Sequence, residues 1–258
     1  MSISDLIEQQ VQERPDAVAV RHPGQDDGPG GRLTYRELGR AANRLAAHLR
    51  ARGIGRGDRV ATSLRPGPET VTAFLGIVRA GAVCVPLDPA DRAQRRRLIV
   101  RDSAAVAVLT GSAGAADYAG LDTVVLALDA EAPEIARRCD ALPEQRTGPD
   151  DALWVCYPSA ATGAVGAVEG VVVPQRAVLD LVRSTGPLRP DSDGVVARAG
   201  AGPAFDAVAF AVWTALASGA GPPDGRTGTA VGGRWPGRCR TGSSCAAKVS
   251  GSGRSSRC

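Results

Sequence analysis

The sequence predicts an α/β protein, with mostly parallel sheets flanked by helices and a disordered C-terminal tail. Short apolar runs alternate with amphipathic segments through the first 220 residues, which is typical of a parallel sheet. Runs such as Ala82–Leu87 are apolar at nearly every position, as in strands buried on both faces. After Gly219 the alternation stops, and residues 221–258 are rich in Gly, Arg and Ser. We therefore expect a folded portion, residues 1–220, and a low-complexity tail, residues 221–258.

Helices are predicted where apolar residues recur every three to four positions. Thr34 and Glu37 form a capping box at the start of the second helix. Gly53 and Gly81 are natural C-terminal stops. The predicted helices are Ile3–Val11, Thr34–Gly53, Pro68–Gly81, Ala93–Asp102, Glu131–Cys139, Pro174–Arg183 and Asp206–Ala217.

Strands are predicted where short apolar runs lie between turn residues. The predicted strands are Ala17–Val20, Arg59–Leu64, Ala82–Leu87, Ala104–Leu109, Thr123–Leu128, Leu153–Tyr157, Gly170–Val173 and Val195–Ala199. A turn-rich linker follows the first strand, and its Asp27-Gly28 pair suits the tip of a hairpin.

Composition narrows the function classes. The chain has 258 residues, of which 43% are apolar, with no apolar run long enough for a membrane span and no secretory signal, so we expect a cytoplasmic protein. Residues 221–258 contain seven basic residues and one acidic residue, a net +6, which leaves −2 of the total +4 for the rest. The slightly negative net charge of residues 1–220 gives no reason to expect a nucleic-acid partner.

One stretch, Leu153–Val178, is typical of a phosphate-binding element. A strand leads into a run of small residues, Ser159–Ala167, and a second strand follows. Small residues let the backbone approach a phosphate closely. The alternative is a ligand-free connection between two strands, because loops of Gly, Ala and Ser are common.

Four stretches together resemble the adenylation domains of nonribosomal peptide synthetases, within the adenylate-forming enzymes. They are Arg32–Ala61 (RLTYRELGRAANRLAAHLRARGIGRGDRVA), Val78–Ala90 (VRAGAVCVPLDPA), the loop stretch, and Pro203–Ala220 (PAFDAVAFAVWTALASGA). The family counterparts of the last three are K-A-G-x-x-Y-V-P-L-D-P, Y-T-S-G-T-T-G-x-P-K-G-V and F-D-x-S-V-x-E-I-W. Order and spacing agree over about 210 residues. The resemblance implies the N-terminal portion of the adenylate-forming fold.

The resemblance also implies a chemistry and its partners. Such domains use ATP and magnesium to convert an amino acid into an aminoacyl-adenylate, which passes to the thiol of a phosphopantetheine arm on a carrier domain. Ser159, Thr162 and Gly163 match the family's phosphate loop. No catalytic residue is assigned, because the family's C-terminal lysine has no counterpart in this sequence.

The loop also departs from the family pattern. Pro158 lacks an amide proton, Ala160 replaces a glycine, and Ala161 replaces a hydroxyl residue. Three extra residues precede Gly170, and Glu169 then takes the place of the family's lysine. The electrostatic interaction energy between a unit charge and a phosphate about 4 Å away is on the order of 4 kcal/mol at an effective dielectric of about 20. We therefore expect impaired ATP use.

Asp206 matches the aspartate that binds the substrate's α-ammonium group in the family. Its alternative role is the N-cap of the apolar helix that follows. Ala207 and Phe210 match pocket-lining positions, or are simply core residues of that helix.

The remaining candidate side chains favour structural roles. We expect solvated side chains for His22, His48 and the basic run Arg95–Arg97, and free thiols for Cys84 and Cys156. Three further cysteines follow no zinc spacing, so no metal site is assigned; they are Cys239, Cys245 and Cys258.

The resemblance ends near Ala220, which suggests a frameshift in G+C-rich DNA or a decaying gene. Translation of the other two frames past codon 220 tests the frameshift version. Three functions stay open: an impaired amino-acid-activating fragment, a non-catalytic piece that docks on a synthetase, and a stand-alone activator of carboxylic or acyl acids. Asp206 disfavours the third, because acids without an amino group do not need that carboxylate.

Overall fold

The computed structural model describes residues 1–21, 32–144, 147–157, 169–185, 195–196 and 205–219. Within these ranges the α-helices are α1 (Ile3–Glu13), α2 (Tyr35–Ala51), α3 (Pro68–Ala80), α4 (Ala93–Asp102), α5 (Leu128–Ala136), α6 (Gln175–Thr185) and α7 (Phe205–Ser218). The strands are β1 (Val18–Arg21), β2 (Arg32–Thr34), β3 (Arg59–Ser63), β4 (Val83–Pro86), β5 (Ala107–Thr110), β6 (Val124–Ala127), β7 (Ala152–Cys156), β8 (Val171–Pro174) and β9 (Val195–Val196). None of these helices is long and apolar enough to cross a membrane.

A six-stranded sheet with the order β6-β5-β3-β4-β7-β8 forms the centre of the fold. Its first five strands are parallel, and β8 alone runs antiparallel to its neighbour β7. The predicted α/β class with a mostly parallel sheet is therefore confirmed. Every residue of β4 and β5 is buried, as expected for strands covered on both faces.

Helices cover the two faces of this sheet unequally. Residues of α1, α2, α3, α6 and α7 pack into one apolar cluster together with one face of the sheet. The opposite face packs against α4 and a 3₁₀ helix, Ser112–Tyr118. A second sheet with the order β2-β1-β9 pairs β1 antiparallel to β2 and parallel to β9.

Local signals in the sequence set the ends of the longer helices correctly. The Thr34 side chain accepts a hydrogen bond from the Glu37 amide, and the Glu37 carboxylate accepts one from the Thr34 amide, so the predicted capping box is present. Gly53 and Gly81 have φ values of 79° and 90°, a backbone region that residues with a Cβ rarely adopt.

Some elements differ from the prediction. The fifth helix occupies Leu128–Ala136 and not Glu131–Cys139, and the fifth strand begins at Ala107 and not at Ala104. Strand β2 and the 3₁₀ helix were not predicted, because each is too short to show a hydrophobic period.

Two predictions about polar side chains are wrong. His48 is fully buried, and its Nε2 lies 2.6 Å from Glu131 Oε2 on α5. Arg96 is only 8% exposed, with Nη1 donating to the carbonyl oxygens of Pro89 and Asp91 at 2.7 and 2.6 Å. Both side chains have partners on other segments, which hydrophobic periodicity along one helix cannot reveal.

Free thiols were expected for two strand cysteines, and this is confirmed. Cys84 is buried and Cys156 half-buried, and neither forms a disulfide with another described cysteine. Burial raises the pKa of the Cys84 thiol, so it stays protonated. His22, Asp27, Gly28 and residues 221–258 lie outside the described residues.

Candidate functional site

The stretch that the sequence singled out forms the connection between β7 and β8. Cys156 at the end of β7 is the register partner of Val171 at the start of β8, so the segment between them leaves the sheet and returns to it at one place. The described chain stops at Tyr157 and resumes at Glu169. Residues 158–168, which include Ser159, Thr162 and Gly163, lie outside the described residues.

This connection leaves from the carboxyl edge of the parallel strands. Because β3, β4, β5, β6 and β7 are parallel, their carboxyl ends all meet at that edge. Ligands of open α/β sheets bind outside the carboxyl ends of the strands. The connection therefore lies at the edge where ligands of such sheets bind.

Polar groups at this edge mostly hold neighbouring segments together. Thr110 Oγ1 at the end of β5 donates to the Ser63 carbonyl at the end of β3, at 3.2 Å. Asp129 in α5 accepts hydrogen bonds from the Ser112 amide and hydroxyl, which hold the pKa of this carboxyl below its usual range. These contacts join neighbouring segments where the strands end.

The two ends of the connection touch each other. A Cβ built on Gly170 would lie 2.7 Å from Tyr157 Cζ and 2.8 Å from its hydroxyl oxygen, so the ring lies directly against the glycine backbone. The Tyr157 hydroxyl donates to Asp102 Oδ2 at 2.6 Å, and Asp102 is the last residue of α4. Burial, and then the Asp102 carboxylate, raise the pKa of Tyr157, so the phenol keeps its proton and remains a donor.

Glu169 is the first described residue after the connection, and it is exposed. It precedes Gly170, so it stands where the resemblance places a lysine. Sequence reasoning identified this residue, whereas it missed Asp102 and the contact of Tyr157 with Gly170. The one sequence signal for the contact was Gly170 itself, a glycine at the position where a strand was predicted to start.

The second group of predicted site residues lies on α7. This helix begins at Phe205, so Asp206 lies within its first turn. The N-cap interpretation instead requires Asp206 to be the residue that precedes the helix. Helical spacing places positions 206 and 210 on one face, with 207 next to 210. The side chains of Asp206, Ala207 and Phe210 lie outside the described residues.

The C-terminal half of α7 is anchored in the core. Trp213 is 1% exposed and stacks on Phe74 of α3, with ring centroids 6.3 Å apart and an interplanar angle of 29°. The Tyr35 hydroxyl in α2 donates to the Leu216 carbonyl at 3.2 Å. Helix α7 is thus fixed to α2 and α3 by its last two turns.

A cluster of His48, Glu131 and Glu134 has the ligand types of a metal site, with its atoms within 4.8 Å of one another. Arg52, the residue that follows α2, supplies the positive charge beside the two carboxylates, because its Nη2 lies 2.7 Å from Glu131 and 3.5 Å from Glu134. Its Nη1 also contacts the His48 ring. The cluster is therefore an ion-pair network that joins α2 to α5.

A cavity of about 120 Å³ lies at the opposite edge of the sheet. Its lining residues come from the amino ends of β3, β4 and β7 and from β8; among them are Arg56, Arg59, Val83, Asp151 and Val172. Arg56 Nη2 is already paired with Asp151, at 3.0 Å. The cavity is thus separate from the edge that carries the connection.

The chain is similar to a known protein family, to known sequences and to solved structures. The family described as AMP-binding enzyme matches residues 7–222. Surfactin synthase subunit 2 of Bacillus subtilis (strain 168) is 35% identical over 222 residues, which are 85% of this chain and 6% of that protein. Phosphinothricin tripeptide synthetase PhsC of Streptomyces viridochromogenes is 35% identical over 209 residues, 80% of this chain and 18% of that protein.

Solved structures with the same fold include nonribosomal peptide synthetases. FmoA3 in its AMPPNP-bound form is 31% identical with a TM-score of 0.70, over 87% of this chain and 23% of that one. The inhibitor-bound N-terminal domain of FACL13 from Mycobacterium tuberculosis is 26% identical with a TM-score of 0.72, over 84% of this chain and 55% of that one. The chain thus spans a small part of the synthetases that it matches.

Proposed function

Because the chain belongs to the AMP-binding enzyme family, we propose that it is a catalytically impaired adenylation unit of nonribosomal peptide synthesis, whose phosphate loop binds ATP only weakly. The observation that carries the proposal is the position of the β7–β8 connection, a run of small residues at the carboxyl edge of a parallel sheet. The sequence similarity to peptide synthetases supports the substrate class.

The donors in this loop fit a triphosphate poorly. Ser159, Thr162 and Gly163 would offer hydroxyl and amide donors, but Pro158 has no amide proton. Glu169 is exposed at the end of the loop and brings a negative charge where a positive one is needed. A repulsion of a few kcal/mol lowers the affinity for ATP at least a hundredfold, since about 1.4 kcal/mol corresponds to a tenfold change in affinity. The loop residues therefore do not fit a triphosphate and its magnesium ion.

The remaining parts of the proposal follow from the resemblance. Residues 1–220 form the adenylation portion, and the family match that ends at residue 222 supports this boundary. Asp206 binds the α-ammonium group of an amino acid, with Ala207 and Phe210 beside it on α7. Magnesium accompanies ATP where it binds, and a phosphopantetheine-bearing carrier domain is the partner that receives the activated amino acid.

Calorimetric titration with ATP and magnesium tests the role of Glu169. We expect Glu169→Lys to bind ATP at least tenfold more tightly than the unchanged chain, because the substitution turns repulsion into attraction. Glu144→Lys is the matched control, since Glu144 is an exposed glutamate that precedes β7. Equal affinities of Glu169→Lys and the unchanged chain would refute the charge argument.

Exchange of pyrophosphate into ATP tests the function itself. We expect no amino-acid-dependent exchange above background with the unchanged chain. Rapid exchange with amino acids would refute the impairment, and exchange with simple carboxylic acids alone would favour a stand-alone acid activator. Co-purification with a carrier-bearing synthetase, without exchange, would favour a docking role.

A further inference from the structure

We propose that Asp102 is a positioning residue, which fixes both ends of the phosphate loop by holding the Tyr157 ring against Gly170. The assignment of this loop rests on the proposed function, whereas the contacts themselves belong to the described residues. Three segments meet here: the end of α4, the residue after β7 and the residue before β8.

The Tyr157 ring lies very close to Gly170. A Cβ at the Gly170 position would lie 2.7 Å from Tyr157 Cζ and 2.8 Å from its oxygen, closer than real Cβ atoms come to their neighbours, and a tight 3.0 Å from Val155 Cγ1. Only glycine leaves room for the ring. The ring thus bridges the point where the chain leaves the sheet and the point where it returns.

A hydrogen bond to Asp102 holds the hydroxyl end of the Tyr157 ring. The Tyr157 hydroxyl donates to the Asp102 carboxylate at 2.6 Å, the short length typical of a bond to a charged acceptor. Tyr157 is 7% exposed, so water competes little for this bond. Without the carboxylate, the phenol would lose this hydrogen bond while remaining buried, which is costly.

Asp102 is itself held in place at the end of α4. A carboxylate in the last turn of a helix is unfavourable, because the helix dipole is negative there. The Tyr157 hydroxyl offsets this cost. The adjoining Ser103 is held in turn, since Arg59 Nη1 on β3 donates to its carbonyl at 2.8 Å. The carboxylate is therefore presented from a fixed backbone.

Amide hydrogen exchange read by mass spectrometry tests the proposal without any ligand. Tyr157→Phe keeps the ring and removes the hydroxyl, and Asp102→Ala removes the acceptor. We expect each to accelerate exchange in residues 169–172 on the order of tenfold, the factor for losing a hydrogen bond to a charged acceptor. Exchange in β3 and β4 should not change. Asp102→Asn, which keeps an acceptor oxygen, should restore most of the protection.

Two comparisons separate positioning from a general loss of stability. Tyr35→Phe removes another buried hydroxyl, which bonds Leu216 on α7, and should leave exchange at residues 169–172 unchanged. The double variant Tyr157→Phe/Asp102→Ala should match either single variant, because both remove one bond. Unchanged exchange at 169–172, or an equal rise throughout the sheet, would overturn the proposal.

A nucleotide titration then separates this proposal from the function on which it rests. In the Glu169→Lys background, Tyr157→Phe should weaken ATP binding several-fold. If Glu169→Lys binds no ATP, the proposed function fails, and the exchange data alone decide the role of Asp102. If ATP binds equally well with and without the hydroxyl, Asp102 does not position the loop for ATP and the proposal is wrong.

Discussion

Arg79 shows how a single side chain joins three helices. The side chain is fully buried, and its guanidinium donates to the Gly39 carbonyl at 2.9 Å, Asn43 Oδ1 at 2.7 Å and Glu8 Oε2 at 2.7 Å. Burial lowers the pKa of Arg79 and the Glu8 carboxylate raises it. The charge of Arg79 is therefore tolerated in the core because Glu8 of α1 balances it.

Removal of that balancing carboxylate should destabilise the protein. We expect Glu8→Ala to lower the free energy of unfolding by about 2–3 kcal/mol, since it leaves a buried charge without its counter-ion. Urea unfolding measures the change. Glu13→Ala, an exposed position of the same helix, should stay within about 0.5 kcal/mol of the unchanged protein. A Glu8→Leu/Arg79→Met variant should recover much of the loss; equal stability of the two alanine variants would contradict the prediction.

At the scale of elements, α2 and α3 pack closely because Gly76 has no side chain. A Cβ on Gly76 would lie 2.8 Å from Leu45 Cδ2 and 3.0 Å from its Cβ and Cγ. Leu45 is 3% exposed, so it has little room to move. The close approach of the two helices therefore depends on this one glycine.

Two opposing effects decide the outcome of Gly76→Ala. Alanine favours a helix over glycine by about 1 kcal/mol, but overpacking costs about 1–3 kcal/mol. Because the contact includes the root of the Leu45 side chain, we expect net destabilisation of about 1 kcal/mol in urea unfolding. In a Leu45→Ala background the clash is absent, and Gly76→Ala should become stabilising. The same sign in both backgrounds would show that the packing argument is wrong.

The elements also show how far a sequence reveals its own fold. The capping box at Thr34 and the stop at Gly81 are local signals, and they set helix ends correctly. The sequence contains no such signal for the antiparallel direction of β8, because an apolar run shows the same pattern in a parallel and an antiparallel strand. His48 was misjudged because its partner Glu131 lies 83 residues away. The same limit hid Asp102 at the candidate site, 55 residues from Tyr157.

At the scale of the whole molecule, the excess of positive charge and the described apolar core lie in different parts of the chain. Residues 221–258 carry a net +6, and the other residues carry −2. The core extends through α7, where Trp213 and Leu216 are 1% and 0% exposed. The last described contact lies just beyond, where Arg14 Nη1 donates to the Gly219 carbonyl at 2.7 Å. The apolar core therefore includes residues up to the end of α7.

A chain that ends at Ala220 should consequently unfold at nearly the same temperature as the full chain, within about 2 °C, because no described contact is lost. It should also pass through a cation-exchange column that retains the full chain at low salt, because it has lost the +6 segment. A chain that ends at Ala204 is the control: it lacks α7 and buried Trp213, and should show no cooperative melting. A large fall in melting temperature for the chain ending at Ala220 would place part of the stabilising structure within residues 221–258.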